Sequence, residues 1–109
     1  MTRRDDVAAL PWADDVEVVT GDAADPAAVG RAMREVDTVF YLLHSMASGA
    51  DFERRDRQIA GTVAREAERA GVSRIVYLGG LHPEGVPLSP HLRSRKEVGE
   101  LLLASEVPT

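Results

Sequence analysis

The sequence predicts an α/β fold with an open, doubly wound parallel sheet, in which three strands alternate with helices. Short apolar runs typical of buried strands alternate with longer segments of helical periodicity. Such an alternation favours βαβ units, and therefore parallel strands. The 109 residues contain no internal repeat, so residues 1–109 are predicted to form one small domain.

The first strand and helix are predicted before residue 37. Residues 16–19 are rich in valine and run into Gly21, which is typical of a strand followed by a turn. Asp25 and Pro26 then supply an N-cap and a proline at the first helical position. The helical spacing of apolar residues continues through Val29, Ala32, Met33 and Val36.

The second strand is predicted at residues 39–43, because this stretch is continuously apolar, as in a parallel sheet covered on both faces. Residues 45–49 are predicted to form a loop. A longer helix follows, and Gly71 is its expected C′ residue. The apolar face of this helix is predicted to comprise Phe52, Ile59, Val63, Ala67 and Ala70.

The third strand is predicted at residues 74–78, before Gly79 and Gly80. Ser89 and Pro90 predict the start of another helix. The apolar stripe of that helix is predicted to be Val98, Leu101 and Leu102. Three strands leave the edges of a parallel sheet without neighbours, so we expect a partial domain.

Composition and charge exclude several classes of protein. The formal net charge of -5 disfavours a nucleic-acid partner, because affinity for phosphates depends on clustered Lys and Arg. With no cysteine there is neither a disulfide framework nor a thiolate metal site, and His44 and His82 lack metal-ligand spacing. No apolar run approaches the roughly 20 residues of a spanning helix, so we expect no membrane partner and a cytoplasmic location.

The ordered segments resemble the atypical short-chain dehydrogenase/reductases of the NmrA-like group, which are NAD(P)-binding Rossmann proteins. Residues 16–22 resemble the third strand of that family and its following turn. Residues 39–44 resemble the fourth strand, residues 70–81 the fifth, and residues 91–99 the helix that carries Tyr-x-x-x-Lys. The resemblance covers almost the whole chain and implies a partial Rossmann-type domain, with NAD or NADP as cofactor and a small-molecule substrate.

The resemblance also assigns residues to the adenosine half of the cofactor. Asp22 matches the carboxylate that accepts from the adenine amino group, and Ala23 matches the amide beside it; alternatively, Asp22 only turns the chain. Arg3 and Arg4 match the place of an arginine that meets the 2′-phosphate of NADP, or they form a solvated basic N-terminus. Leu42, Leu43 and His44 match the residues that line the ribose and adenine pocket.

The phosphate-binding turn of the family has no counterpart here. Its Gly-x-x-Gly-x-x-Gly lets the backbone approach the pyrophosphate, and the sequence contains no such motif. We therefore expect this chain alone to bind a dinucleotide poorly.

The proton-relay residues of the family are replaced. Gly79 and Gly80, predicted to lie against the cofactor, stand in the place of the serine. His91-x-x-x-Arg95 takes the place of Tyr-x-x-x-Lys, and this spacing puts both side chains on one helix face. The guanidinium favours neutral imidazole, so His91 is a candidate proton donor or acceptor, and Arg95 a candidate partner for a ribose hydroxyl or phosphate oxygen. Alternatively both are solvated, or Leu92 and Lys96 are the aligned pair and no acid exists.

The resemblance implies an NAD(P)-dependent oxidoreductase or a nucleotide-sugar-epimerase-like protein. Two alternatives stay open: a non-catalytic regulator that senses the dinucleotide, and an inactive truncated fragment. A fragment should self-associate through its open sheet edge.

Overall fold

The computed structural model describes residues 1–4, 6–45 and 51–109, and these residues form two parallel strands and three α-helices. Two short 3₁₀ turns precede them, at Val7–Ala9 and Ala13–Asp15. In chain order the elements are α1 (Pro26–Ala32), β1 (Thr38–Tyr41), α2 (Phe52–Ala70), β2 (Arg74–Tyr77) and α3 (Pro90–Leu103). The predicted loop at residues 45–49 lies, beyond Ser45, outside the described residues.

The predicted helix starts are confirmed by their caps. Asp25 accepts a hydrogen bond from the amide of Ala27 at 3.0 Å, and Pro26 follows as the first residue of α1. Ser89 accepts from the amide of Leu92 at 3.3 Å. A side-chain oxygen at this position satisfies an amide that has no partner within the helix.

The end of α2 is also as predicted. Gly71 adopts a left-handed conformation with φ of 70°, and its amide bonds back to the carbonyl groups of Ala67 and Glu68. Residues with a Cβ rarely adopt this conformation, so the glycine ends the helix at little cost.

The sheet is built from β1 and β2, which run parallel in register from Thr38 opposite Arg74 to Tyr41 opposite Tyr77. The helix α2 connects them, as expected for a βαβ unit. The amide of Ile75 also bonds to the carbonyl of Pro108 at 2.8 Å, on the chain segment that follows α3. The predicted α/β fold with a parallel sheet is therefore confirmed.

The core lies between one face of this sheet and the helices. Its buried side chains come from all three helices and from both strands. The most deeply buried large residues include Ile75 of β2 and Leu102 of α3. The other members include Val29, Met33, Tyr41, Ile59, Val63 and Val98.

One predicted strand is wrong. Residues 16–19 form no ladder, and the segment pairs only through an isolated parallel bridge between Thr2 and Thr20. The amide of Thr2 bonds to the carbonyl of Val19, and the amide of Gly21 bonds to the carbonyl of Thr2. An extended valine-rich run becomes a strand only where neighbouring strands supply hydrogen bonds along its length, and within the described residues Thr2 alone does so. The described sheet thus has two strands rather than three.

Several predictions of burial are also wrong; besides the three residues described next, Leu42, Val76 and Leu78 of the predicted buried strands are 65%, 39% and 78% exposed. Phe40 is 67% exposed although its run suggested cover on both faces, because the described helices pack on the opposite face of the sheet. Ala70 is exposed because α2 ends there. Leu101 is 38% exposed, because the buried face of α3 is instead formed by Ser94, Val98 and Leu102.

Candidate cofactor and active site

Three cavities open where β1 and β2 end, and His44 lines all of them. Their volumes are about 860, 230 and 240 Å³. The chain after β1 contributes Leu42, Leu43 and His44, as the sequence predicted for a pocket-lining segment. In open α/β sheets, ligands bind in the crevice at the carboxyl ends of the strands, so these cavities form the candidate site.

The largest of the three cavities is lined by Asp22, in the turn before α1. One oxygen of its carboxylate accepts from the amide of Ala24 at 2.9 Å, and both oxygens lie 3.0 Å from the Nη2 of Arg55. The backbone hydrogen bond, followed by the Arg55 contact, holds the pKa of Asp22 below its ordinary value. Ala23, Gly21 and Ser45 share this cavity. The carboxylate is therefore ionised near neutral pH and able to accept hydrogen bonds.

Two arginines near the N-terminus line the same cavity. Arg3 lies close enough to Asp22 for its charge to contribute to the lowered pKa of that carboxylate. Arg4 is exposed and forms two hydrogen bonds to Asp6, at 2.8 and 2.6 Å. The cavity thus combines one carboxylate with a concentration of guanidinium groups.

The second cavity brings together His91 and Arg95 with His44. The prediction that His91 and Arg95 share a face of α3 is confirmed by this common cavity. The ring of His91 stacks on Phe52 of α2, with centroids 4.5 Å apart and planes 23° from parallel. This stacking places the imidazole beside the cavity, although the residue as a whole is exposed.

The third cavity lies along the end of β2, between Gly79, Leu42 and Arg95. The hydroxyl of Tyr77 donates to the main-chain carbonyl of Arg95 at 2.9 Å, which ties the strand to α3. Burial raises the pKa of Tyr77, and the charge of Arg95 opposes that shift. Tyr77 is therefore a hydrogen-bond donor in this structure.

Gly80 differs from its neighbour in what it contacts. A Cβ placed on Gly80 would lie 2.7 Å from the Cδ2 of Leu92, whereas one on Gly79 would meet Tyr77 at an ordinary 3.4 Å. Gly80 does not line the cavities described above. Its small size instead lets the N-terminal turn of α3 approach the end of β2.

The structure brings the other predicted residues together around His44. It also adds residues that the sequence did not single out, among them Arg55 and Asp56 of α2. A signal for Asp56 was present: it follows Phe52 by four positions and precedes Ile59 by three, so a carboxylate falls on the apolar face of the helix. Arg55 carried no such signal, because arginines are common on exposed helix faces.

The described residues offer neither of two other kinds of site. Their His, Asp and Glu side chains form no cluster of three or more that could hold a metal ion. None of their helices combines the length and apolarity needed to cross a bilayer.

Solved structures share this fold. The triphenylmethane reductase of a Citrobacter species, studied for the bioremediation of triphenylmethane dyes, matches with a TM-score of 0.77 and 20% identity, over 97% of this chain and 35% of that one. A structure of the Citrobacter enzyme complexed with NADP(H) matches with a TM-score of 0.69 and 21% identity, over 93% of this chain and 34% of that one. The protein gox2253 matches with a TM-score of 0.62 and 22% identity, over 85% of this chain and 36% of its own.

The present chain thus spans about a third of the length of the solved structures that it matches. At these identities the likeness concerns the fold, and it confirms the predicted Rossmann-type class. No curated protein sequence matches the chain significantly. A family model described as NAD(P)H-binding matches residues 1–106. Because this match extends over nearly the whole sequence, the chain belongs to the NAD(P)H-binding family.

Proposed function

We propose that this chain provides the adenosine-binding and proton-transferring part of an NAD(P)H-dependent oxidoreductase that acts on a small molecule. The observation that carries the proposal is that His44, at the carboxyl end of a parallel sheet, lines both the cavity that contains Asp22 and the cavity that contains His91 and Arg95. Membership of the NAD(P)H-binding family supports the cofactor.

The largest cavity suits the adenosine half of the cofactor. The ionised carboxylate of Asp22 accepts a hydrogen bond from the adenine amino group, and the amide of Ala23 contacts the ring. The guanidinium groups of Arg3 and Arg4 attract the phosphates; Arg4 must share its charge with Asp6. A volume of about 860 Å³ is within the range of small-molecule sites.

The chain offers fewer contacts to the pyrophosphate of the cofactor than to its adenosine half. The sequence has no Gly-x-x-Gly-x-x-Gly turn, so the close backbone approach that this turn provides is not available from these residues. The arginines at the first cavity supply charge but not that approach. We therefore expect weak binding of NADP(H) by this chain.

The two smaller cavities suit the nicotinamide end of the cofactor and the substrate. The nicotinamide, when bound, supplies a hydride to the substrate. His91 gives a proton to the substrate atom that becomes negative, and its ring is kept in place by Phe52. Arg95 holds a ribose hydroxyl or a phosphate oxygen. An epimerase-like reaction could use the same residues, but it would leave no net oxidation of the cofactor.

Cofactor binding is tested by thermal unfolding with saturating NAD+ and NADP+. A ligand that binds only the folded state raises the unfolding temperature, and Asp22→Ala should abolish the rise. Asp14→Asn, which changes an exposed carboxylate outside the cavities, should keep it. An equal rise in the Asp22 variant would refute the adenine assignment.

Proton transfer is tested by the absorbance of NADPH in the presence of a small carbonyl compound as a probe substrate, because hydride addition to a carbonyl carbon leaves an oxyanion that must take up a proton. His91→Ala should lower turnover by a factor of about 10² or more without changing NADPH binding. Unchanged turnover would eliminate His91 as the proton donor. No turnover in the wild-type chain would leave the second candidate.

The second candidate is a regulator that senses the dinucleotide without reacting. Gly79 and Gly80 favour it, because no hydroxyl stands where the family has its serine. A sensor binds NADP(H) and oxidises none of it, whereas an inactive fragment does neither. We also propose that the chain self-associates through the outer edge of β1, which pairs with no strand other than β2 among the described residues.

A further inference from the structure

Asp56 is a buried carboxylate in the middle of the apolar face of α2. It is 6% exposed, and the helix positions beside it on this face are occupied by Phe52 and Ile59. Its carboxylate makes no ion pair with any Lys or Arg of the described residues. Burying a charge is costly unless hydrogen bonds satisfy it, so the partners of Asp56 explain why it is tolerated there.

Among the described residues each carboxylate oxygen of Asp56 has one partner, and the two partners belong to different parts of the fold. Oδ1 accepts from the amide of Ser45, on the segment after β1, at 3.0 Å. Oδ2 accepts from the hydroxyl of Ser94, on α3, at 2.9 Å. Asp56 therefore joins three parts of the chain: α2, the segment after β1, and α3.

The two partners adjoin the residues of the candidate site. Ser45 directly follows His44, and Ser94 lies between His91 and Arg95 on α3. Asp56 itself lines the cavity that His44, His91 and Arg95 share. A change in either hydrogen bond would therefore alter the position of His44 relative to the two α3 side chains.

Other contacts already hold α2 against α3 without reaching that segment. Arg57 of α2 bonds to Glu97 of α3 at 2.8 Å, and Glu53 of α2 bonds to Arg93 of α3 at 2.8 Å. Neither pair touches the chain after β1. Holding the two helices together therefore does not by itself account for Asp56.

We propose that Asp56 is a positioning residue that fixes His44, through Ser45, opposite the His91 and Arg95 face of α3, through Ser94. This inference rests on the proposed function, because His44 lines the cavity assigned there to adenosine and His91 is the residue assigned there to proton transfer. The two hydrogen bonds of Asp56 form in the chain without cofactor.

The experiment compares Asp56→Ala with Asp56→Asn and with Glu97→Ala in the full chain. Asparagine rescues the link, because its oxygen accepts from the Ser45 amide and its amide group donates to the Ser94 hydroxyl. Glu97→Ala is the matched control, because it also deletes a carboxylate that joins α2 and α3, but one without a bond to Ser45.

The first readout is the NMR signal of the ring proton of His91 in the absence of cofactor. Stacking on Phe52 shifts this signal by a ring current, and His82, in the exposed loop after β2, serves as the internal reference among three histidines. Asp56→Ala should move the His91 signal toward its unstacked value and should also move the ring signal of His44, while Asp56→Asn and Glu97→Ala should leave both signals in place. The second readout is NADPH affinity, which Asp56→Ala should lower by about tenfold and Glu97→Ala by less than about twofold.

The outcomes separate this inference from the proposed function. If the wild-type chain does not bind NADPH, the proposed function fails, and the His91 signal still decides whether Asp56 positions α3. An unmoved His91 signal in Asp56→Ala, or equal effects of Asp56→Ala and Glu97→Ala, would overturn the inference. If Asp56→Ala does not fold, Ser94→Ala replaces it in the test, because this variant removes only the hydrogen bond between Asp56 and α3. A His91 signal in Ser94→Ala that is identical to that of the wild type would then overturn the inference.

Discussion

The carboxylate of Asp22 faces the guanidinium of Arg55, and Nη2 of the arginine lies 3.0 Å from both carboxylate oxygens. The pair connects the turn before α1 to the first turn of α2, 33 residues later in the chain. It also occupies the carboxylate that the proposed function assigns to adenine. Arg55 therefore orients the carboxylate of Asp22. Under the proposed function, that carboxylate accepts hydrogen bonds from both Arg55 and the adenine amino group.

The hydrogen bond from the Ala24 amide, followed by the Arg55 pair, lowers the pKa of Asp22 and should make stability at acid pH depend on this carboxylate. Its folded-state pKa is below the ordinary 3.8, so its contribution to stability is present above that pH and is lost as the pH falls through the folded-state pKa. The side chains of Arg55 and Asp22 are 39% and 41% exposed, so solvent screening limits the contribution of the pair to the free energy of unfolding to about 0.5 kcal/mol. Asp22→Asn should lower the unfolding temperature by about 3 °C at pH 7.

The measurement is thermal unfolding from pH 7 down to the acid limit of the native state. The difference between wild type and Asp22→Asn should shrink below the ordinary pKa of 3.8. Asp14→Asn should differ little from wild type at neutral pH. A difference that grows on acidification would contradict the assignment, because the sign of the linkage would be reversed.

The close approach of Gly80 to Leu92 should make the two neighbouring glycines unequal. Gly80→Ala places a Cβ 2.7 Å from the Cδ2 of Leu92, so the end of this flexible side chain must shift, and the fold should lose up to about 1 kcal/mol. Gly79→Ala should cost less than about 0.5 kcal/mol. Urea unfolding followed by circular dichroism measures both, and adding Leu92→Ala to Gly80→Ala should recover part of the loss. Equal costs at the two glycines would argue against the packing explanation.

Leu102 and Leu103 are adjacent but differ in burial, at 0% and 66% exposed. Leu102→Ala should therefore lower the free energy of unfolding by about 3 kcal/mol, because it removes core contacts and leaves a cavity. Leu103→Ala should change it by less than about 0.5 kcal/mol. The same urea titration compares them. Similar losses would mean that α3 packs in a different rotation.

Self-association through the outer edge of β1 should decrease when a charged residue is placed on that strand. Phe40 is 67% exposed on that strand, and Phe40→Lys should reduce self-association, because a lysine on an exposed strand disfavours pairing with another chain. Sedimentation at several concentrations measures the mass. Leu81→Lys, at a 96% exposed position outside the strands, should leave the mass unchanged. A wild-type chain that stays monomeric at every concentration would count against self-association.

Local signals predicted the helices well. Asp25, Ser89 and Gly71 each act through hydrogen bonds to residues within a few positions, so their effect can be derived from neighbouring sequence alone. The strand at residues 16–19 could not be derived in this way. A valine-rich run permits an extended chain, but a strand also needs partners that lie elsewhere in the fold.

The candidate site was predictable in part for the same reason. Residues that follow a strand, such as His44, can be assigned to the binding edge of a parallel sheet from their order in the chain. The helical spacing marks Asp56 as a carboxylate on an apolar face, but the partners of Asp56 and Arg55 could not be derived, because Ser45, Ser94 and Asp22 are distant in sequence or belong to other elements.

The sequence by itself determined the order of the three helices and of β1 and β2, the starts of α1 and α3, the end of α2, the parallel α/β class and the shared face of His91 and Arg95. These depend on side-chain periodicity, caps and spacing within single elements. Only the tertiary structure decided that the described sheet has two strands, that Phe40 is exposed, and that Asp56 joins Ser45 to Ser94 of α3. The physical reason is that strand pairing, burial and hydrogen bonds between elements depend on which distant segments meet.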